Sequence, residues 1–296
     1  MVDHDHSGGT DTARRAYRVA YDGRSYHGFQ RQPDVPTVED ALLDALRALD
    51  ACPATGTPPG WAAAGRTDAG VSAVAQTVAF DAPAWLSPAA FTSELPADVW
   101  VWADTPAPAD FHATHDATAR AYTYHLHAPP EEVSEACARE TLATLSGEDD
   151  FHNLTPDDEG TTREIATGLD REGEFLRIRL RADGFPRQLV RRVVSLVAEC
   201  AREAGVTDAT QAECHDSDRS AGARVERVLS PAPLPGPEGV PPAPAEPLVL
   251  TAVSYPVSFE GNERVLSTAR EWFDRRRVTG VTLARTSAAI RDSLRE

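Results

Sequence analysis

The stretch AAGRTDAGVSA, Ala63 to Ala73, constrains this chain more than any other. It sets an arginine and a carboxylate close together, Arg66 and Asp68, between Gly65 and Gly70. Glycine on both sides lets the backbone turn sharply and come close to a bulky ligand. Ala63, Ala64, Ala69, Ser72 and Ala73 leave room in front of the pair. Trp61 leads into the stretch and QTVAF continues beyond it as a strand. The pair therefore sits on a loop held between two extended segments, a place where chemistry tends to concentrate. An aspartate so placed serves as nucleophile or base, and the arginine seizes phosphate or enters a helical nucleic acid. The plainer alternative is a turn carrying a weak surface ion pair.

The pattern around this loop predicts an α+β fold. RAYRVAYD alternates Tyr17, Val19 and Tyr21 inward, as a strand does. Pro36-Thr37 opens a helix capped by Thr37, with Val38, Ala41, Leu42, Ala45, Leu46 and Leu49 on one face. Ser87-Pro88 starts a short helix, followed by a strand from Val99 to Ala103. Tyr122, Tyr124 and Leu126 alternate on another strand. PEEVSEACARETLATLSG reads as a helix stopped by Gly147, Glu174 to Leu180 as a strand, and Leu189 to Ala204 as a helix. Residues 231 to 247 are too rich in proline for regular structure, and LVLTAVSY is again a strand. The order β–α–β–α–β thus occurs twice, which predicts two α+β halves whose sheets join. The expected division is a flexible tail over 1–14, an N-terminal domain over 15–112, a C-terminal domain over 113–285 that contains the proline-rich loop 231–247, and a tail or helix over 286–296.

Charge narrows the setting. The formal net charge is −17, with 46 acids against 29 basic residues, and every basic residue is arginine. Acid excess without lysine resembles proteins that work in concentrated salt. There the Debye length falls to about 3 Å at 1 M, so long-range repulsion of a polyanion largely disappears. Binding must then rely on short bidentate arginine contacts, hydrogen bonds and stacking. Cys52, Cys137, Cys200 and Cys214 form no CxxC or His/Cys cluster, which argues against zinc and for reduced thiols of a cytoplasmic protein. His4 and His6 alternate with acids, but solvated disorder accounts for them better than a metal does. No apolar run approaches membrane-spanning length, and the polar N-terminus is no signal peptide.

The whole pattern resembles the TruA family of tRNA pseudouridine synthases, through motifs in the same order. Besides the loop, YDGRSYHGFQRQP (Tyr21 to Pro33) looks like the family's first motif and FHATHDATARAYTY (Phe111 to Tyr124) like the segment with its active-site tyrosine. GFPRQLVRRVVS (Gly184 to Ser195) looks like the arginine motif, and AEPLVLTAVSY (Ala245 to Tyr255) like the strand that closes the site. The resemblance implies the pseudouridine synthase fold, with a joined and mainly antiparallel sheet. It implies isomerisation of uridine to pseudouridine in the anticodon arm of tRNA, near positions 38 to 40, by a homodimer with neither cofactor nor metal.

Residue by residue, the resemblance makes Asp68 the catalytic carboxylate, either attacking the sugar or taking a proton next to the anomeric carbon. It makes Arg191 the cation paired with Asp68. Arg187, four residues earlier, then shares a helix face with it, while Arg192 falls on the solvated side. Tyr122 matches the active-site tyrosine, with Tyr124 as a core aromatic on the same strand face. Leu248 matches the apolar residue that packs on the other face of the base, and Arg66 the arginine that helps extract the target nucleotide. Gln30, Arg31 and Gln32 are candidates for RNA backbone contacts or, equally, exposed polar residues. Phe29, Glu94, Thr114 and Pro247 depart from the usual tryptophan, asparagine, arginine and glycine, which bears on the RNA site modified rather than on the reaction. A non-catalytic tRNA-binding or RNA-folding module would need Arg66 and the arginine helix but neither Asp68 nor Tyr122. A carboxylate hydrolase would need a second positioned acid.

Overall fold

A computed structural model describes residues 12–209 and 221–294. His4, His6, Cys214 and most of the expected N-terminal tail lie outside these residues. The first half contains β1 (Thr12–Tyr21), α1 (Val38–Ala48), β2 (Ala62–Ala63), β3 (Ser72–Pro83), α2 (Pro88–Ser93) and β4 (Val99–Pro106). The second contains β5 (Ala119–His127), α3 (Glu135–Thr144), β6 (Gly147–Asp150), β7 (Thr162–Glu172), β8 (Phe175–Ala182), α4 (Leu189–Ala209), α5 (Ala221–Leu229) and β9 (Leu248–Ser254). The chain then adds β10 (Glu260–Gly261) and α6 (Glu263–Ser293).

Local chemistry sets the helix starts. Thr37 accepts the Asp40 N–H, Ser87 the Ala90 N–H ahead of Pro88, Ser134 the Cys137 N–H, and Asn262 the Val265 N–H. Each supplies an acceptor to a helix N–H that has none. Val38, Leu42, Leu43 and Leu46 of α1 then bury completely, together with Tyr17, Val19 and Tyr21 of β1. Full burial of side chains this size is worth about 1.5–3 kcal/mol each.

The ten strands of the described residues join one sheet, ordered β10-β4-β1-β3-β9-β5-β8-β7-β6, with β2 beside β3. The pairings are antiparallel except between β3 and β9, where Ser72 meets Val249 and Ala73 meets Leu250. This parallel step is the seam of the two halves, because β9 leaves the proline-rich segment and inserts between β3 and β5. The fold is α+β with a mainly antiparallel sheet. Each half has its own core, and Tyr122 packs against both.

Several elements differ from the sequence reading. α3 starts at Glu135 behind a turn, and Gly147 (φ 106°) opens β6 after the Leu145 cap rather than stopping the helix itself. β6 and β7 were not anticipated: GEDD has no apolar residue, and only Ile165 and Leu169 of β7 are buried. Helix α4 begins at Leu189, so Arg187 precedes it and shares no helix face with Arg191. The left-handed residue Gln188 (φ 61°) turns the chain into α4. Finally, α6 runs unbroken through 285/286 and packs on β4 and α2 of the first half.

Candidate active site

The loop from Ala64 to Val71 connects β2, paired with β3, to the start of β3. Its backbone is tied from every side. Ala64 N–H donates to Thr77 O at 2.8 Å, and the buried Gln76 donates its Nε2 to Gly65 O at 2.9 Å. Phe29 N–H donates to Thr67 O at 3.1 Å, and Gly70 N–H to Tyr26 O at 3.2 Å. The Tyr21 hydroxyl and Thr67 Oγ1 are 2.8 Å apart. Arg120, from β5, donates Nη2 to Ala64 O at 2.6 Å and to Thr114 O at 2.9 Å, and Nη1 to Asp183 O at 2.6 Å. A Cβ on Gly28 (φ 97°) would stand 2.8 Å from Thr67 O, so only glycine lets the first motif lie this close to the loop.

The fold brings Asp68 to the N-terminal turn of α4. Arg191 Nη1 donates to Asp68 Oδ2 at 2.8 Å, while its Nε donates to Ala243 O at 2.7 Å. Asp68 Oδ1 makes no hydrogen bond among the described residues. The Asp68 side chain is 37% exposed and that of Arg191 16%, so the pair stands at the wall of a cleft and not in a closed core.

Tyr122 faces the same space. It is half-buried, and its ring meets Phe185 edge to face at 5.4 Å. Burial pushes its phenol up to about 12; the Arg120 charge works against this and the Asp68 charge adds to it. Tyr122 is therefore protonated at neutral pH and arrives as a hydrogen-bond donor. Leu248, at the first residue of β9, is 3% exposed and also lines the cleft.

The cleft is about 660 Å³, within the range of small-ligand sites. Asp68, Tyr122, Arg191, Arg66, Leu248, Arg187 and Gln30 all line it. Arg66 and Gln30 are exposed at its rim, and the Arg66 side chain has no partner among the described residues. Arg187 is mostly exposed and ion-paired with Asp157, whose Oδ2 also accepts the Arg187 N–H at 2.8 Å. Arg31 bonds Asp40 Oδ1 at 2.7 Å, and Gln32 Nε2 bonds His27 O at 2.6 Å, so internal contacts occupy both.

One side-chain assignment is corrected. Arg192 is not a solvated position: it is half-buried and donates Nη1 to Val240 O at 2.8 Å and Nη2 to Gln188 Oε1 at 3.1 Å. The arginine helix thus pins the proline-rich segment twice, at Val240 and Ala243. Thr114, in place of an arginine, donates to Ala63 O at 2.6 Å and braces β2. Sequence reasoning missed Gln76, Arg120, His112, Phe185 and Gln188 as parts of the site. A fully buried glutamine and an arginine inside an apolar strand are signals of a backbone that needs partners, but neither residue points to a loop without the fold. Among the described residues no group of His, Cys, Asp or Glu side chains could hold a metal ion. No described helix is long and apolar enough to cross a membrane.

No family model matches the chain. A protein from Haloarcula marismortui named tRNA pseudouridine synthase A is 54% identical over 290 residues, which is 95% of this chain and all of that protein. One of the same name from Natronomonas pharaonis is 50% identical over 277 residues, covering 93% of this chain and 98% of its own. Among solved structures, an H/ACA ribonucleoprotein bound to a substrate RNA containing 2′-deoxyuridine aligns at 14% identity and a TM-score of 0.33, over 62% of this chain and 52% of that one.

Proposed function

The chain belongs to the tRNA pseudouridine synthase A family, and from that premise we propose that Asp68 is the carboxylate with which this isomerase converts uridine to pseudouridine in tRNA. The observation that carries the residue assignment is the Arg191–Asp68 contact at 2.8 Å, which leaves the second carboxylate oxygen open to the cleft. The reaction breaks the bond between C1′ of the ribose and N1 of uracil, turns the base and joins C1′ to C5. The C5 proton leaves and N1 gains one, so atoms balance with no oxidant.

The open Oδ1 either attacks C1′ or takes the proton from C2′. Both routes use the carboxylate as a base or nucleophile, and the Arg191 contact at 2.8 Å holds its other oxygen in place. Leu248 and the Tyr122 ring supply the two apolar walls between which a uracil fits, and the protonated Tyr122 hydroxyl can exchange hydrogen bonds with the turning base. Arg66, unpaired at the rim, takes a phosphate or fills the stack the nucleotide leaves; such extrusion costs a few kcal/mol. Gln30 and Arg187 extend the rim for backbone contacts.

The target is the anticodon arm, near positions 38 to 40. The working unit is a homodimer in the cytoplasm. A catalytic role is favoured over simple RNA binding because a binding module has no use for an open carboxylate beside a phenol. Carbodiimide primer-extension mapping of tRNA from a strain lacking the gene tests the reading. Loss of stops near positions 38 to 40, restored by the wild-type gene and not by Asp68→Ala, is the expected result. An unchanged map overturns it.

A further inference from the structure

Helix α6 departs from the rest of this acidic chain. It carries seven arginines against four carboxylates, in a protein of net charge −17. Only its first part is buried: Val265 and Ala269 pack on Ala20 and Trp100, with Trp272 alongside. Beyond Phe273 almost every residue is exposed.

The side chains of Arg264, Arg270, Arg275 and Arg285 make no hydrogen bond or ion pair among the described residues. Most other arginines are engaged by carboxylates or carbonyls, so this grouping is not the general condition of the surface. At 3.6 residues per turn the four fall within a sector of about 140° and extend over about 32 Å. Val265, Ala269 and Trp272 occupy the opposite side. The unpaired cations therefore form one outward row.

The inner face of the same helix, opposite the row, reaches the end of β1. Arg276 Nη2 lies 3.1 Å from Asp22 Oδ2, one residue past the end of β1. Asp22 is buried, and although burial opposes its charge, Arg24 and Arg276 hold its carboxyl below the usual range. The adjoining Gly23 donates its N–H to Ser72 Oγ at 3.0 Å and packs so closely on Val71 that a Cβ would stand 2.0 Å from Val71 O. Val71 in turn donates its N–H to Asp68 O at 3.1 Å. The far end of the helix feels the Glu174 charge, in the turn between β7 and β8, at Arg291. So α6 is anchored beside the catalytic loop and runs toward the second half.

We propose that the exposed arginine row of α6 (Arg264, Arg270, Arg275 and Arg285) is a docking arm for the phosphate backbone of the tRNA whose uridine enters the Asp68 cleft. Charge complementarity favours this occupant: a polyanion is the partner that a row of unpaired guanidiniums on an acidic protein selects. The proposal rests on the tRNA reading above.

The test uses the full-length protein at a KCl concentration where it is folded by circular dichroism. The variant Arg264→Gln/Arg270→Gln/Arg275→Gln/Arg285→Gln should raise both the Kd and the KM for whole tRNA at least tenfold. The matching four Arg→Lys changes, which keep the charge, should recover most of that loss. Kd and KM within twofold of wild type for the glutamine variant overturn the proposal. So does a change in oligomeric mass that accompanies the loss, because Leu283 and Ile290, exposed in this helix, and Leu294 at its C-cap would then mark a contact with a second copy. Wild-type protein that forms no pseudouridine in any tRNA would instead overturn the functional reading.

Discussion

Arg191 holds Asp68 across 123 residues of chain, with 2.8 Å between Nη1 and Oδ2, and uses its Nε to hold Ala243 O at 2.7 Å. One guanidinium thus ties the loop of the first half to a helix and a proline-rich segment of the second. The parallel β3–β9 seam lies between them. A cleft that depends on both halves is fixed by a side chain that reaches both.

Arg191→Ala should therefore lower turnover at least a hundredfold. Its stability cost should be only about 1–2 kcal/mol, because Asp68 keeps access to water and escapes the full penalty of a buried lone charge. Arg192→Ala removes the tie to Val240 O and should cost similar stability, with turnover within about fivefold of wild type. Urea melts and single-turnover rates on one tRNA transcript separate the two. Equal losses of turnover would mean that Asp68 does not depend on its cation.

Asp68→Asn keeps the shape and can still accept from Arg191, but it removes the charge and the nucleophilic oxygen. Tritium release from C5-labelled uridine in tRNA should fall at least a thousandfold, while the far-UV spectrum and tRNA affinity stay near wild type. Turnover within tenfold of wild type would remove Asp68 from the reaction.

The fold and the cleft were legible to different depths. Alternation in β1 and β5 and the helix starts at Thr37 and Ser87 are local signals, written in residues that touch their neighbours, whereas the Ser134 cap was passed over inside PEEVSEAC. The loop was legible because Gly65 to Gly70 is a rare string. β7 was not, because its polar positions face solvent on a strand with few buried residues. Arg192 was misread because its partner, Val240, lies in a segment without periodicity, where no spacing rule applies. The tie from Arg120 to Ala64 was hidden for the same reason: the acceptor is a backbone carbonyl, which carries no sequence signature.

All six tyrosines titrate above their usual value, chiefly through burial. Tyr122 and Tyr255 are pushed up to about 12. Unfolded tyrosines ionise near pH 10. Above that pH the unfolded chain releases protons that the native one retains, so stability present below about pH 10 is lost as pH rises toward the native values. Absorbance at 295 nm should show little phenolate until the fold opens, then a steep rise that coincides with loss of circular dichroism. A gradual titration centred near pH 10 in folded protein would contradict the burial of these rings.

Salt is the last variable. With 46 acids against 29 arginines, self-repulsion is unscreened in dilute buffer, where the Debye length reaches about 30 Å at 0.01 M. At molar KCl the same charges barely see one another, and burial of apolar side chains loses none of its drive. The protein should unfold on dialysis into dilute buffer and reach its highest stability and turnover at molar KCl. Most nucleic-acid binders lose affinity over that range through counterion release. Here the short contacts of Arg191, Arg66 and the cleft walls act within a Debye length, and relief of repulsion between an acidic surface and tRNA works in the opposite direction. Circular dichroism and turnover along one KCl series decide the matter. Full structure with peak activity in dilute buffer would show that the acid excess serves something other than work in concentrated salt.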